Sequence, residues 1–205
     1  MLDSDDARGA EAVVSGCEYH GRRAVVKVRP PKTYRHPELD LHIRTTRTRN
    51  EARLLREARD AGVRTPCIYD VDMASCSITM EHVPGGSVKD LLDSDPGSAE
   101  RVCGMIGETV ARLHSASVCH GDLTTSNMIL TDDGICLIDF SMGCSKASLE
   151  DIGVDIRLLE RAFTSAHTEL SSGFDALMES YYSGIDDPDA VRRKVEDIRN
   201  RGRYT

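Results

Sequence analysis

The chain has 205 residues, a net charge of −8 and seven cysteines that form no C-x-x-C pair. This length suits one domain or two small lobes, and the acidic balance argues against a general affinity for nucleic acid, whose phosphates attract basic surfaces. Since the number of cysteines is odd and their spacing irregular, we expect reduced thiols and a cytoplasmic or nuclear location. We find neither an apolar leader nor a run of membrane-spanning length, and we therefore expect no membrane attachment.

The first half of the chain predicts a small β-rich lobe with one helix. The runs EAVVSG and RRAVVKVR flank Gly21 and predict a hairpin. In TTRTRNEARLLREARDAG the apolar residues recur at helical spacing as far as Gly62, and CIYDVDM and CSITMEHV predict two more strands. We place a boundary after residue 83, so that residues 1–83 form an N-terminal lobe.

The second half, residues 84–205, predicts a mostly helical lobe that follows a Pro-Gly-Gly hinge. One helix opens at Ser98, and VDIRLLERAF, FDALMESYY and DAVRRKVEDIRN predict three more. Among these helices NMIL and ICLIDF predict two short strands joined by a turn at 131–134. The predicted fold class is therefore α+β, with two lobes and between them the kind of cleft where small ligands usually bind.

The stretch HGDLTTSNMILTDDGICLIDF, residues 120–140, places polar side chains among apolar runs. The five-residue spacing of Asp122 and Asn127 matches D-x-x-x-x-N of the protein-kinase catalytic loop, and Asp139 follows a strand, where a kinase places a magnesium-binding aspartate. Each of the three alone would read as a turn cap or a strand end. Together they predict Asp122 as the catalytic carboxylate and Asn127 and Asp139 as Mg²⁺ ligands, because phosphoryl transfer depends on such groups.

Lys27 in AVVKV corresponds to the strand lysine of kinases that reaches the α- and β-phosphates of ATP. It precedes Glu51 by 24 residues, and Glu51 lies on the single helix predicted in the first lobe. We therefore predict a Lys27–Glu51 ion pair that fixes the lysine over the nucleotide. Since Arg47 and Arg53 flank the glutamate, an ordinary surface charge is the alternative interpretation.

Two weaker patterns complete the predicted nucleotide site. Gly9, Ala10 and Glu11 occupy the position of a phosphate-covering loop, although one glycine makes this loop stiffer than a glycine-rich one. Glu81 and Val83 lie just before the hinge, where the backbone of a kinase would hydrogen-bond adenine. An ordinary strand end explains these two residues equally well.

Gly121 stands where regulated protein kinases carry an arginine that docks a phosphorylated activation loop. From Asp139 to Asp155 there are only 16 residues, too few for a conventional activation segment. We expect Asp155 to begin a helix and to accept backbone N–H bonds from the turn at His120 and Gly121, with a plain helix cap as the alternative.

The chain resembles, over nearly its whole length, the atypical kinase subunit of the KEOPS (EKC) tRNA-modification complex, the PRPK-like or Bud-type family. The stretches that carry the resemblance are GAEA, AVVK, RNEARLL, HGDLTTSN, LIDF and VDIRLLERAF, with RNRGR near the C-terminus. The resemblance implies a compact two-lobed kinase-like fold, binding of ATP and Mg²⁺, and an ATPase or serine/threonine kinase activity. It also implies partners, namely the KEOPS transferase subunit that makes threonylcarbamoyl-adenosine on tRNA and the other subunits of the complex.

Two other functions fit part of the pattern. An antibiotic- or choline-type small-molecule kinase shares the H-G-D, Asn and I-D-F residues, but usually inserts substrate-binding helices, whereas here one helix is predicted between hinge and catalytic loop. A catalytically weak nucleotide-binding scaffold would be favoured by loss of Lys27, Asp122 or Asp139, and all three are present.

The C-terminal tail is basic on an otherwise acidic chain. Arg199, Arg201 and Arg203 recur at every second position, a spacing that no helix face favours. We predict an extended segment beyond the final helix that contacts tRNA or the partner protein. A solvated helix end is the alternative.

Overall fold

The computed structural model describes residues 7–8 and 11–201. Gly9 and Ala10 of the expected phosphate-covering loop, and Arg203 of the tail, lie outside the described residues.

Five antiparallel strands in the order β1-β2-β3-β5-β4 form the sheet of the first lobe. Their bounds are β1 Ala7–Arg8, β2 Val13–Tyr19, β3 Arg22–Val28, β4 Ile68–Asp72 and β5 Ser77–Glu81. The predicted hairpin is present, with β2 and β3 joined at His20 and Gly21, both of which have positive φ angles. The register pairs Val14 with Lys27, which fixes the lysine side chain on one face of the sheet.

One helix, α1, spans Pro37–Asp60 and packs on this sheet. It begins earlier than the periodic apolar pattern indicates, because Pro37 occupies the first helical turn and acidic residues follow it there, both favourable at a helix N-terminus. Its buried face carries Leu54, Leu55 and Ala58, and Gly62, at a φ of 79°, follows the helix as predicted. The same face buries Glu51, which brings a carboxylate toward the sheet.

The second lobe contains five helices among the described residues, one more than the sequence predicts. They are α2 Val88–Ser94, α3 Ala99–Ser115, α4 Leu149–Ala166, α5 Ser171–Ser183 and α6 Pro188–Arg201. The additional helix, α2, has 7 residues, too few for apolar periodicity to reveal, and the side chain of Ser87 caps it. The sequence-based expectation of a single helix between the hinge and the catalytic loop is therefore wrong.

Four short strands carry the catalytic-loop region between α3 and α4. They are β6 Val118–Cys119, β7 Met128–Thr131, β8 Gly134–Leu137 and β9 Cys144–Ser145. The hairpin of β7 and β8 is the one that the sequence predicts, and β6 pairs with β9 in a second ribbon. Beneath them α3 packs closely on α5, because Gly107 has no Cβ to overlap the Leu177 carbonyl.

The lobes share a core in which Leu54, Ile78, Leu113 and Phe140 are all fully buried. The predicted α+β class with a β-rich lobe and a helical lobe is confirmed. None of the described helices has both the length and the apolar character that crossing a bilayer requires.

The basic tail differs from the prediction. Arg199 and Arg201 lie in the last turn of α6 instead of an extended segment, because the amphipathic pattern that buries Val191 and Val195 continues to Arg201. Arg199 pairs with Glu160 at 2.8 Å, and Arg201 with Glu150 at 2.5 Å. Both arginines thus fold back onto acidic residues of α4, and the predicted extension is wrong for them.

Candidate active site

A cavity of about 540 Å³ lies between the two lobes. It is lined by every candidate site residue that the structure describes, namely Glu11, Lys27, Glu51, Glu81, Val83, Asp122, Asn127 and Asp139. Residues from both halves of the sequence are thus brought to one cleft, as the two-lobed prediction requires.

Lys27 lies at the centre of the site. Its Nζ contacts Glu51 Oε1 and Asp139 Oδ1, each at 2.7 Å, so the predicted Lys27–Glu51 ion pair is present and a second carboxylate joins it. Burial opposes ionisation of Asp139, but the Lys27 ammonium and hydrogen bonds from Ser141 outweigh it and hold the pKa of Asp139 below its ordinary value. The carboxylate is therefore charged at neutral pH and suited to a divalent cation.

Asp139 follows β8 with a φ of 64°, a left-handed conformation that aspartate tolerates better than most residues. The backbone reverses there, and the Ser141 N–H donates to Asp139 Oδ1 at 3.4 Å. This turn directs the carboxylate toward Lys27 instead of letting the chain continue as a strand.

Asp122 and Asn127 are fixed to each other across the catalytic loop. The Asn127 Nδ2 donates to the Asp122 carbonyl oxygen at 2.9 Å and to Asp122 Oδ2 at 3.0 Å. Since the amide nitrogen is used in this way, the Asn127 Oδ1 is the atom left for a cation. Carboxylate and amide oxygens are hard ligands of the kind Mg²⁺ prefers, so Asn127 and Asp139 fit that ion chemically.

The His120 imidazole braces the loop in one tautomer. Its Nδ1 accepts the Asp122 backbone N–H at 3.2 Å, so Nε2 carries the proton and donates to the Ile138 carbonyl at 2.9 Å. Burial lowers the pKa of His120, which keeps the ring neutral as this arrangement requires. The backbone of Asp122 is thereby connected to the strand end that carries Asp139.

Asp155 supports the same loop from α4. Its Oδ2 accepts the His120 N–H at 2.7 Å and its Oδ1 the Gly121 N–H at 2.9 Å, which confirms the predicted contact. The residue lies inside α4, however, and not at its start, because Ser148 forms the capping box of that helix. Burial opposes ionisation of Asp155, but a hydrogen bond from His114 at 3.2 Å and further contacts hold its pKa below the ordinary value.

Two glycines allow the short segment after Asp139 to lie directly on the catalytic loop. Gly121 has a φ of 81°, and a Cβ there would overlap the Met142 carbonyl oxygen. At Gly143 a Cβ would overlap the Cys119 carbonyl, and the Asn50 side chain donates to the Gly143 carbonyl at 2.9 Å. The position where regulated kinases have an arginine is therefore closed to any side chain.

At the hinge end of the cavity the Glu81 side chain is engaged within the protein, and the Val83 backbone is open to a ligand. The Glu81 carboxylate accepts from Arg64 Nη1 at 2.9 Å and from the Cys67 N–H at 3.0 Å, so its side chain is engaged within the protein. Within residues 11–201 we find no intramolecular backbone hydrogen bond at Val83, whose N–H and C=O remain for a ligand. This agrees with a role for the hinge backbone, and not for the Glu81 carboxylate, in contacting a base.

Arg29 and Arg47 also line the cavity, and sequence reasoning did not assign them to it. Arg29 is buried, and its Nη2 contacts the second oxygen of Glu51. The signals were available: Arg29 follows Lys27 by two residues, directly after the end of β3, and Arg47 is one helical turn from Glu51. Arg47 was interpreted only as a possible surface charge.

The sequence matches the RIO domain family over residues 16–175. It is 38% identical over 207 residues to the KEOPS complex subunit Bud32 of Pyrococcus abyssi, an alignment that covers 96% of this chain and 94% of that protein. It is also 45% identical over 199 residues to a probable bifunctional tRNA threonylcarbamoyladenosine biosynthesis protein of Methanosarcina mazei. That alignment covers 96% of this chain but 35% of the relative, so the chain spans about a third of the length of such bifunctional proteins.

Among solved structures, the Rio2 kinase of Chaetomium thermophilum, determined as an ADP/Mg²⁺-phosphoaspartate complex, superimposes with a TM-score of 0.65. The match covers 98% of this chain and 71% of that one at 15% sequence identity. At this identity the likeness shows a common kinase-like fold.

Proposed function

This chain belongs to the RIO family and is similar to the KEOPS complex subunit Bud32, and we propose that it is a magnesium-dependent ATPase and atypical serine/threonine kinase of the KEOPS (EKC) complex. In that role it would serve the formation of threonylcarbamoyl-adenosine on tRNA. The observation that carries the proposal is the Lys27 ammonium, which contacts Glu51 and Asp139 at 2.7 Å inside a cavity that Asp122 and Asn127 also line.

Each side chain has a defined role in this proposal. Mg²⁺, when bound, neutralises phosphate charge, and Asp139 and Asn127 would hold it. Lys27 binds the phosphates of ATP, and Glu51 keeps Lys27 in position. Asp122 accepts the proton of the attacking hydroxyl or water, and its orientation is maintained by Asn127.

The helices between the hinge and the catalytic loop argue against the alternative function of a small-molecule kinase. Among the described residues only α2 and α3 lie between the hinge and the catalytic loop, without the helical insertion usual in small-molecule kinases. The segment after Asp139 is short and packed on the loop, so it offers little platform for a peptide. Water is therefore an acceptor that the site accommodates as readily as a protein hydroxyl.

The proposed partners follow from the relatives. The Pyrococcus abyssi protein is named as a KEOPS complex subunit, and the bifunctional relatives are named for threonylcarbamoyladenosine biosynthesis. We propose that this chain binds the transferase subunit of that complex and reaches tRNA through it. All seven cysteines carry free thiols, which fits a cytoplasmic or nuclear location.

The test is phosphate release from ATP by the purified chain, alone and with the transferase subunit and tRNA. We expect release that requires Mg²⁺ and increases when both partners are added. A chain that binds ATP but releases no phosphate under any of these conditions would reduce the proposal to a nucleotide-binding scaffold.

A further inference from the structure

A chain of ion pairs leads from the start of α1 to the nucleotide cavity. Asp40 contacts Arg44 at 2.7 Å and Arg35 at 3.7 Å. Arg35 Nη2 in turn contacts Glu11 Oε1 at 2.9 Å, and Arg47 Nη1 contacts Glu11 Oε2 at 3.0 Å. Hydrogen bonding from Arg35, the largest influence, holds the pKa of Glu11 below its ordinary value, so both oxygens are charged acceptors.

Arg47 ends this chain inside the cavity. It lies on α1 one turn before Glu51, on the same helix face, and lines the same cleft as Lys27 and Asp139. Its side chain is 29% exposed, which leaves it reachable from the cleft while its position is restrained. In the part of the chain that the structure describes, its ion pair is from Nη1 to Glu11, and a guanidinium carries further N–H donors at Nη2 and Nε for a second acceptor.

The ion pairs around the cavity distinguish Arg47 from Lys27 and Arg29, which also line it. Lys27 already faces two carboxylates, Glu51 and Asp139, and Arg29 is buried against the same Glu51. Among the described residues Arg47 pairs with Glu11, which also pairs with Arg35, and Arg35 and Arg44 share Asp40. Glu11 and Asp40 thus face three arginines, whereas Glu51 and Asp139 face the two cations Lys27 and Arg29. Of the three arginines Arg47 lines the cavity, and an incoming phosphate would complete the balance there.

We propose that Arg47 is a ligand of the nucleotide's terminal phosphates and that Glu11, held by Arg35, orients it for this contact. The inference rests on the proposed function and adds a phosphate-binding residue to it. The proposed contact also gives a role to Glu11, which lies in a loop with a single glycine. Glycine-rich loops bind phosphate through their own backbone N–H groups, whereas here the Glu11 carboxylate would position the charged side chain of Arg47 on α1 for this purpose.

The experiment measures equilibrium binding of ATP and of adenosine to the wild-type chain and to variants at three positions. Arg47→Gln should weaken ATP binding about tenfold or more, about 1.4 kcal/mol. Its adenosine affinity should stay within about twofold of wild type, because adenosine has no phosphate and occupies the hinge end. Arg49→Gln is the matched control: it removes the same charge from an exposed position two residues along α1 and should change neither affinity.

Glu11→Gln separates phosphate binding from a structural role of the ion pair. If Arg47 serves only to hold Glu11, Arg47→Gln and Glu11→Gln should weaken ATP binding equally, and the proposal is overturned. If Arg47 binds phosphate and Glu11 orients it, Glu11→Gln should weaken ATP binding measurably but clearly less than Arg47→Gln does. Equal losses in Arg47→Gln and Arg49→Gln would indicate general electrostatic attraction and would also overturn it.

Two further outcomes separate a failure of this inference from a failure of the proposed function. Wild-type protein that binds adenosine but not ATP, with Mg²⁺ present, would contradict the proposed function itself. If Arg47→Gln does not fold, Arg47→Met keeps an unbranched apolar side chain without the charged donors, and the same loss of ATP affinity with adenosine affinity retained is expected. Unchanged ATP affinity in a folded variant would refute the phosphate contact.

Discussion

The two ends of the cleft are held by different interactions. At the catalytic loop, Gly121 packs against the Met142 carbonyl and the buried Asp155 accepts two backbone N–H groups. At the phosphate end, Glu11 is 41% exposed and is held by arginines that remain partly open to water. Partly exposed ion pairs contribute little each, whereas breaking a buried hydrogen-bonded charge costs several kcal/mol. The first region is therefore the more firmly held, and we expect the second to reorganise more easily if phosphate binds there.

Asp139 lines the cleft and contacts Lys27, and Asp139→Asn should have the largest effect on activity. The amide would keep the left-handed backbone but lose the charge that faces Lys27 and that would bind the proposed Mg²⁺. We expect phosphate release to fall by at least about 1000-fold, about 4 kcal/mol on the barrier, with the unfolding transition still cooperative. Near-normal turnover in the folded variant would remove Asp139 from the metal site.

Gly121→Ala tests the close packing of the catalytic loop against the segment after Asp139. The methyl group would overlap the Met142 carbonyl at a φ of 81°, so the loop or the segment after Asp139 has to move. We expect a loss of stability of about 3 kcal/mol in urea unfolding. Gly86→Ala is the control, since its Cβ would meet nothing within 4 Å. Equal stability of the two variants would show that the close approach is not required.

Asp155→Asn tests the buried carboxylate. One amide oxygen replaces two acceptors, and the new NH₂ faces backbone donors, so we expect about 2–3 kcal/mol of destabilisation at pH 7. The folded pKa of Asp155 lies below its ordinary value near about 3.9, so its contribution is complete above that pH and is lost as pH falls through the folded pKa. The difference between wild type and variant should accordingly shrink below about pH 4. A constant difference down to about pH 2 would contradict this assignment.

Glu11→Gln is the same carboxylate-to-amide change at the other end of the cleft, and it should have the smallest effect on stability. Because Glu11 is well exposed, we expect a change within about 0.5 kcal/mol of the unfolding free energy. Added salt should reduce it further, since exposed charges are screened. A loss as large as that of Asp155→Asn would abolish the distinction between the two regions.

Sequence reasoning recovered the parts of the site that local spacing determines. Asp122 and Asn127 are separated by one loop, and the Lys27–Glu51 pair follows from a strand and the helix after it, so their proximity could be predicted. The contact of Asp155 with the catalytic loop was also predicted, although the residue was placed at the wrong point of α4.

Most of the features that could not be predicted from the sequence depend on contacts between residues distant along the chain. Arg47 contacts Glu11, which lies between β1 and β2, 36 residues earlier in the chain. Arg199 and Arg201 pair with Glu160 and Glu150 of α4, and the spacing of the arginines does not reveal those acids. The helix α2 was missed because seven residues show no periodicity.

The Asp155 carboxylate has a consequence for the exchange of amide hydrogens with solvent. The His120 and Gly121 amides both donate to this one buried side chain, so neither can exchange without separation of the loop from α4. We expect them to exchange slowly and at matching rates, unlike amides of exposed loops. Together these two hydrogens would report how often the catalytic loop opens, before any substrate is added.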